Sequence, residues 1–425
     1  MVRVRQKFPP SQPVDILGTL SEQFNAQGIL AGVKPAGRVA IAVGSRGITD
    51  LRALVSSVVM ILRKAQAEPF IVPAMGSHGG ATAEGQSEIL ASYGISEEQL
   101  GIPVRPAMDT VVLGTTQDGI DVHFSVEALD ADAVVVINRI KPHTDFGGPF
   151  GSGLMKMLAI GLGKRSGATT CHLATSRFGY EHVIRTVARV TLSSVPILCG
   201  MAVIENQRHQ TAKLVMLTPQ TIETNEAELL NEARSLMPML PFDEIDLLIV
   251  DRIGKNISGA GMDPNVIGRS VQGYSSSLIE KKQQPPIISR IFVRDLTAET
   301  HGNAIGIGLA DFTTDRLLNS IDKQATYINA LTALTPQTVK IPIHFQTDRE
   351  AIAGSLSSLA LPDLSRARVV RIADTQTLEE LEVSEAYLDI IQERPDLAVS
   401  GQVEAMTFDP SDNLSSLLYS SLCIL

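Results

Sequence analysis

The chain has 425 residues, of which 44% are hydrophobic and 19% are charged, and its formal net charge is −10. This composition excludes a mainly disordered chain, and the acidic balance argues against a nucleic-acid-binding surface. Because one hydrophobic core rarely exceeds about 250–300 residues, we expect two or three domains.

The sequence also favours a cytoplasmic protein with no membrane partner. No run approaches the roughly 18–20 apolar residues of a membrane helix, and the opening MVRVRQKFPP has no apolar stretch after its basic residues. Cys171, Cys199 and Cys423 are scattered, with no CxxC spacing, which is typical of a reducing compartment.

The first half of the chain alternates between predicted strands and helices. The predicted buried strands are short β-branched runs: RVAIAV at 38–43, PFIVPAM at 69–75 and DAVVVINRI at 132–140. Apolar residues at helical spacing follow the first strand, with Thr49 or Asp50 placed to cap the helix, and a second helix is predicted to begin near Thr82. Such alternation predicts a parallel sheet with right-handed crossovers.

Further along, a helix is predicted near 178–192, followed by the strands VPILCGMAVIEN and RHQTAKLVMLTP and the helix IETNEAELLNEARSLM. The prolines of MPMLPFDE at 237–244 predict a linker. We therefore expect an N-terminal α/β domain over 1–240 and a C-terminal α/β domain over 241–425. The second half repeats the strand and helix pattern through IDLLIVD, IISRIFVRDL, ATYINALTAL, KIPIHFQT, a helix from about 347 and ARVVRIAD.

The predicted fold class is α/β, with two domains, largely parallel sheets and an active-site cleft between the domains. Ligands of such sheets bind beyond the carboxyl ends of the strands. Arg46 in GSRG, His78 in GSHGG and His143 in KPHTDFGG all fall there.

Five side chains are candidates for chemistry. His78 and His143 lie among glycines that let a ligand approach the backbone, and His172 lies in a hydroxyl-rich stretch that opens a helix. Lys156 occupies an otherwise uncharged stretch, where desolvation favours covalent amine chemistry. Arg46 can bind a carboxylate through a two-pronged hydrogen bond. Each has a structural alternative: a capping histidine, a solvated lysine or an ion-paired arginine.

The remaining sequence signals exclude several site types. The five other histidines lack such surroundings and are read as structural or surface groups: His123, His182, His209, His301 and His344. GSHGG lacks the ending of a P-loop, GIGLAD at 306–311 is read as core, and no HExxH or clustered Cys/His pattern occurs.

The ordered set of Arg46, His78, His143, Lys156 and His172 resembles the nickel-dependent lactate racemase family. The intervals are similar to those of the family: 32 residues from Arg46 to His78, 65 to His143, and 16 from Lys156 to His172. The length and the two-domain layout also fit, so the resemblance extends over essentially the whole chain.

The resemblance implies a nickel–pincer nucleotide as cofactor, made by partner biosynthesis enzymes. Lys156 would be its covalent attachment point and His172 the nickel ligand. His78 and His143 would be the two acid/base groups, and Arg46 would bind the carboxylate of a small 2-hydroxy acid. The implied activity is that of an isomerase, a racemase or epimerase in which hydride moves to the cofactor and back. Inverting one centre needs two opposed bases with pKa values near neutral, which suits histidine.

Departures from the family pattern point to a substrate other than lactate. The family's Asp and Pro around the arginine are Val43 and Gly47 here, and the segment between His143 and Lys156 is about three residues longer. GAGMDPNVIGRS resembles the family's Asp-x-Asn element through Asp263 and Asn265, while the Gln and Lys that follow are replaced by Gly268 and Val271, for which Arg269 or Lys255 could substitute. We expect a larger or more polar 2-hydroxy acid.

Three other functions remain open from the sequence. The cofactor could serve a one-way redox or dehydration step on a hydroxy acid, or the chain could be a non-catalytic nucleotide-binding module. His78, His143 and His172 could also form a three-histidine zinc site.

Overall fold

Strands and helices alternate along most of the chain, and the computed structural model describes residues 1–45, 47–144, 146–271, 286–415 and 417. The strands are, in chain order, β1 (Val2–Gln6), β2 (Arg38–Val43), β3 (Glu68–Pro73), β4 (Thr110–Thr115), β5 (Asp121–Ser125), β6 (Ala133–Arg139), β7 (Ile197–Glu205), β8 (Thr211–Leu217), β9 (Glu244–Ile253), β10 (Ile287–Leu296), β11 (Phe312–Thr314), β12 (Ile343–Phe345), β13 (Val369–Ile372), β14 (Glu380–Val383) and β15 (Leu397–Ser400).

The α-helices of the same described part are α1 (Ile16–Ala26), α2 (Leu51–Lys64), α3 (Ala83–Ser92), α4 (Glu97–Leu100), α5 (Val126–Leu129), α6 (Leu154–Lys156), α7 (Lys164–Phe178), α8 (Tyr180–Ser194), α9 (Ile222–Ser235), α10 (Pro264–Ile267), α11 (Asp315–Asn319), α12 (Lys323–Thr332), α13 (Asp348–Ser357) and α14 (Leu388–Gln392). Helix α6 continues directly into a wider, π-helical turn over Met157–Gly161. Among the described residues, no helix combines the length and the apolar character that a membrane span requires.

The chain divides into two compact units. One comprises Ser11–Met237, and the other combines Met1–Pro10 with the described residues from Pro238 onward. The domain prediction placed residues 1–10 with the first half of the chain, whereas their contacts assign them to the second unit.

A five-stranded sheet in the order β3-β2-β6-β7-β8 organises the first unit. Strands β3, β2, β6 and β7 are parallel, and β8 pairs antiparallel with β7 through a short turn. Parallel sheets are normally covered on both faces, which explains why β2, β3 and β6 are almost continuous apolar runs. Strands β4 and β5 form a separate antiparallel hairpin.

Alternate side chains of this sheet enter two different cores. In β2, Ala40 and Ala42 face one core, while Val39, Ile41 and Val43 face the other. The alternation follows from the two-residue repeat of a strand. Helices α7, α8 and α9 contribute to the first core and α1 and α2 to the second.

The second unit contains an eight-stranded sheet in the order β12-β11-β10-β9-β13-β14-β1-β15. Its first five strands are parallel, and β14, β1 and β15 complete it in antiparallel fashion. Val2 and Val4 of β1 are buried, while Arg3 and Arg5 on the other face are exposed.

The structure confirms the predicted α/β class with largely parallel sheets. The strand predicted at 38–43 has those same bounds, and Thr82 caps α3 by accepting a hydrogen bond from the Gly85 amide. The N-cap predicted for α2 was wrong: Asp50 precedes the helix in a left-handed conformation with no side-chain cap, and its carboxylate accepts a hydrogen bond from Thr211 instead.

Candidate active site

The loops that leave the carboxyl ends of β3, β2 and β6 begin on neighbouring strands of the five-stranded sheet. His78 lies in the loop after β3, and His143 lies in the loop after β6. Arg46 would follow β2, but it lies outside the described residues. The sheet order therefore places the two described histidines on loops that flank the end of β2.

His143 and Lys156 are in direct contact. Lys156 Nζ lies 2.9 Å from His143 Nε2, within hydrogen-bonding distance. The described residues between 141 and 152 form a loop whose two ends pair through backbone hydrogen bonds between Lys141 and Ser152, of 2.9 and 2.7 Å. This closure returns the chain to the end of β6 just before α6 begins, and so brings the lysine to the histidine.

An aromatic stack supports the His143 ring. Phe146 and Tyr180 stack nearly parallel with centroids 4.7 Å apart, and the His143 ring lies 5.1 and 4.8 Å from them. The Tyr180 hydroxyl donates a 2.9 Å hydrogen bond to the Gly151 carbonyl, which ties the stack to the 141–152 loop. Lys156 Nζ lies 5.9 Å from the Tyr180 ring centroid, where the ring face attracts a cation.

A buried carboxyl group holds the start of the segment that carries Lys156. Glu226 of α9 is fully buried, and its Oε2 accepts a 2.8 Å hydrogen bond from the Met155 amide. A methyl group at Gly153 would collide with Glu226 Oε1, which explains the glycine there. Burial raises the pKa of Glu226 to about 7, although hydrogen bonds from Met155 and Leu154 oppose the shift.

His172 lies on α7, one residue after the buried Cys171. The residue is exposed as a whole, yet its pKa is lowered, first by lost hydration and second by the positive charge of Lys156. A lowered pKa favours the neutral imidazole, which is the form that binds a metal. Lys156 therefore interacts with both His143 and His172.

His78 belongs to a second group of contacts. Its Nδ1 forms a hydrogen bond with Ser45 Oγ, and the Ser45 carbonyl accepts a 2.9 Å bond from the Tyr93 hydroxyl. The fully buried Gln86 donates to the carbonyls of Gly76 and His78, at 3.0 and 3.3 Å. These bonds define both the ring orientation and the backbone path of the loop.

Backbone contacts connect the loop that carries His78 with the segment that follows Lys156. The Gly76 amide donates a 3.1 Å hydrogen bond to the Gly161 carbonyl, and Gly76 has a left-handed φ of 57° with Ile160 packed against it. The His78 loop is thus joined to the segment between Lys156 and His172.

Among the residues that the structure describes, the protein donors do not form a metal site by themselves. Within the described ranges, no three His, Cys, Asp or Glu side chains cluster in a way that could hold a metal ion. A three-histidine zinc site built from His78, His143 and His172 is therefore not formed. One imidazole beside one amine instead fits a cofactor that brings its own metal donors.

The Asp-x-Asn element of the second unit forms a local turn. Asp263 Oδ1 accepts hydrogen bonds from the Asn265 amide and side chain, both of 3.0 Å. Arg269 pairs with Asp311 at 2.6 Å, and Lys255 donates to Asn329 at 2.7 Å.

Ser45, Gln86 and Glu226 were not predicted from the sequence. Glu226 left a readable signal, because it occupies an apolar position in the helical stripe formed by Ile222, Leu229 and Leu230. Ser45 and Gln86 left none, since their roles depend on long-range contacts.

Together, the fold and these contacts describe a two-unit α/β protein in which a lysine and an imidazole form a candidate site near the ends of parallel strands. Residues 7–180 match the family model described as the lactate racemase N-terminal domain, and this range includes all five predicted site residues. This part of the chain is accordingly similar to the lactate racemase N-terminal domain.

Two solved structures share the fold. The lactate racemase apoprotein from Thermoanaerobacterium thermosaccharolyticum matches with a TM-score of 0.52 and 13% sequence identity, over 89% of this chain and 99% of that one. A Thermotoga maritima protein matches with a TM-score of 0.50 and 13% identity, over 88% and 99% of the two chains. No curated protein matches the sequence.

Proposed function

We propose that this protein is an isomerase that racemises or epimerises a 2-hydroxy acid. The observation that carries the proposal is the contact of Lys156 with His143, beside His172, inside the region that matches the racemase family. An amine and a neutral imidazole at the end of a parallel sheet are suited to holding a cofactor close to an acid/base group.

The donor set fits a nickel–pincer nucleotide. Lys156 would hold it through its amine, and His172 would provide the imidazole ligand that completes the coordination of the metal. When bound, this cofactor supplies a site that accepts a hydride and gives it back. Covalent attachment of the cofactor would convert the Lys156 amine. It would therefore remove the ammonium group that His143 and His172 now face.

His78 and His143 would exchange the hydroxyl proton of the substrate from opposite sides. The Ser45 hydrogen bond occupies Nδ1 of His78, which assigns proton transfer to its Nε2. His143 presents Nε2 toward Lys156, and the aromatic stack holds its ring. Two bases on separate loops meet the requirement for inverting one carbon centre.

Arg46 would bind the substrate carboxylate through a two-pronged hydrogen bond. Val43 and Gly47 replace the acidic residue and the proline that flank this arginine in the family pattern, and Gly268 and Val271 replace polar residues in the second unit. We therefore expect a 2-hydroxy acid that is larger or more polar than lactate.

Attachment of the cofactor can be tested by mass. Protein from a host that makes the cofactor should contain stoichiometric nickel and show added mass on the peptide that carries Lys156. The K156R variant keeps the positive charge but cannot form the bond, so it should have the unmodified mass. An unmodified, nickel-free wild-type chain from such a host would refute the proposal.

Hydride transfer can be tested with a substrate deuterated at C2. If the hydrogen moves as hydride, the inverted product formed in ordinary water retains its deuterium. Exchange of the deuterium with solvent would indicate deprotonation at carbon instead. Accumulation of a keto acid or loss of water would favour the one-way redox or dehydration reactions.

The roles of the two histidines can be tested by substitution. H78Q and H143Q should each reduce turnover by about 10²–10⁴-fold.

A further inference from the structure

Lys164 is a buried ionisable group with no role in the chemistry described above. It begins α7, between Lys156 and His172 in the chain, and none of its surface is accessible. Lysine is among the residues least often fully buried, because its ammonium loses hydration. Burial lowers the pKa of this side chain to about 8, so the ammonium form still prevails at pH 7.

The backbone makes the choice of lysine more unusual. Lys164 has a left-handed φ of 54°, a conformation that is strained for a residue with a Cβ and that glycine adopts freely. A glycine would therefore relieve the backbone, and an apolar side chain would be easier to bury. Only the amine distinguishes lysine from these alternatives.

The amine joins the two halves of the candidate site. Lys164 Nζ donates a 2.7 Å hydrogen bond to the carbonyl of Pro73, the last residue of β3 and the start of the path to His78. Nearby, the Gly76 amide binds the Gly161 carbonyl, and a methyl group at Gly161 would lie 2.7 Å from the Ala74 carbonyl oxygen. The two backbones are therefore in close contact along this edge.

We propose that Lys164 is a positioning residue that sets the His78 loop relative to the segment carrying Lys156 and His172. The inference rests on the proposed function for its catalytic consequence. Its geometric part, that the amine determines where His78 lies, stands independently. A shift of about 1 Å in a reacting group can reduce a rate by about 10²-fold, so a side chain that touches no substrate can still control turnover.

The test uses the full-length protein without cofactor and records the histidine ring signals by NMR in K164M, K164G and wild type. A H78Q variant assigns the His78 signal. In K164M and K164G the chemical shift and titration curve of His78 should change, while those of the exposed His182 and His344 should not. R165M, which removes the neighbouring exposed cation, is the matched control and should leave His78 unchanged.

K164G is included because glycine accepts the left-handed backbone at this position. This variant should therefore fold even if K164M does not. An unchanged His78 signal in both variants would overturn the inference. So would failure of both variants to fold, or equal shifts of all three histidines, since either result would make Lys164 a general structural residue.

With cofactor-loaded protein, K164M should lower kcat by about 10–100-fold and leave KM nearly unchanged. If His78 moves in the NMR experiment but the wild type has no racemase activity, the proposed function fails and the geometric role stands. If the wild type is active and K164M matches it in both measurements, the positioning role alone fails.

Discussion

Each ionisable side chain of the candidate site derives its properties from its partners. Lys156 alone could have been a solvated lysine, but its hydrogen bond to His143 and its effect on the pKa of His172 make it the link between two imidazoles. His78 likewise depends on Ser45, which precedes Arg46 in the chain. At this scale, function depends on contacts that residue identity alone does not specify.

The S45A variant should reduce kcat by about tenfold. Loss of the hydroxyl removes the hydrogen bond that orients the His78 ring, so the proton-transferring nitrogen is less often correctly placed. Initial rates of racemisation in both directions measure the effect. S45T retains the hydroxyl and should recover most of the rate, and an S45A rate equal to wild type would contradict the orienting role.

At the level of elements, the segment from α6 through the π-helical turn is held at both ends. Glu226 binds the amide of Met155 at the start, and the Gly161 carbonyl accepts from Gly76 near the end. Wider helical turns of this kind are frequently found at functional sites. Because Lys156 lies between these two attachments, its position depends on α9 and on the loop after β3.

Replacing Glu226 should alter how stability depends on pH. The folded protein raises the pKa of this carboxyl group to about 7, so it retains a proton that the unfolded chain releases above the ordinary value of 4.5. The free energy of unfolding of the wild type should therefore fall as pH rises from about 4.5 to 7, by up to about 3 kcal/mol.

E226Q cannot ionise and should lack this decline. Melting temperatures measured at pH 5 and pH 8 should differ less in E226Q than in wild type. E228Q removes an exposed carboxyl group from the same helix and should behave as wild type. Equal pH dependence in E226Q and wild type would show that the buried carboxyl group does not cause the decline.

At the level of the whole molecule, the first strand joins the beginning of the chain to its second half. Strand β1 lies between β14 and β15 and pairs with both. Without β1, β15 would lose its partner in the sheet. The stability of the second unit thus depends on residues that precede the first unit in sequence.

V4D should destabilise the second unit by about 3 kcal/mol or more, because it buries a carboxylate within the core at a sheet strand. Hydrogen exchange should become faster in β14 and β15, whereas β2 and β6 of the first unit should keep their protection. R3A alters the exposed face of the same strand and should cost less than about 1 kcal/mol. Uniform loss of protection in both units would contradict the assignment of β1.

The central strands were predictable because their apolar runs reflect burial on both faces, as in β2 and β6. Shorter and separately paired strands were harder to predict. Strand β1 alternates over only five residues, and β4 has no buried residue, so neither produces a strong apolar signal. The α2 cap failed because Thr211, which is distant in sequence, binds the Asp50 carboxylate.

By itself, the sequence determined the α/β class, the order of the central strands along the chain and the histidines that follow two of them, because these features depend on short-range periodicity and turn residues. The tertiary structure decided which side chains meet. Ser45 reaches His78, Glu226 reaches Met155 and Lys164 reaches Pro73 only after the sheet and its covering helices have assembled. Such contacts depend on sheet order and packing, which no local pattern encodes.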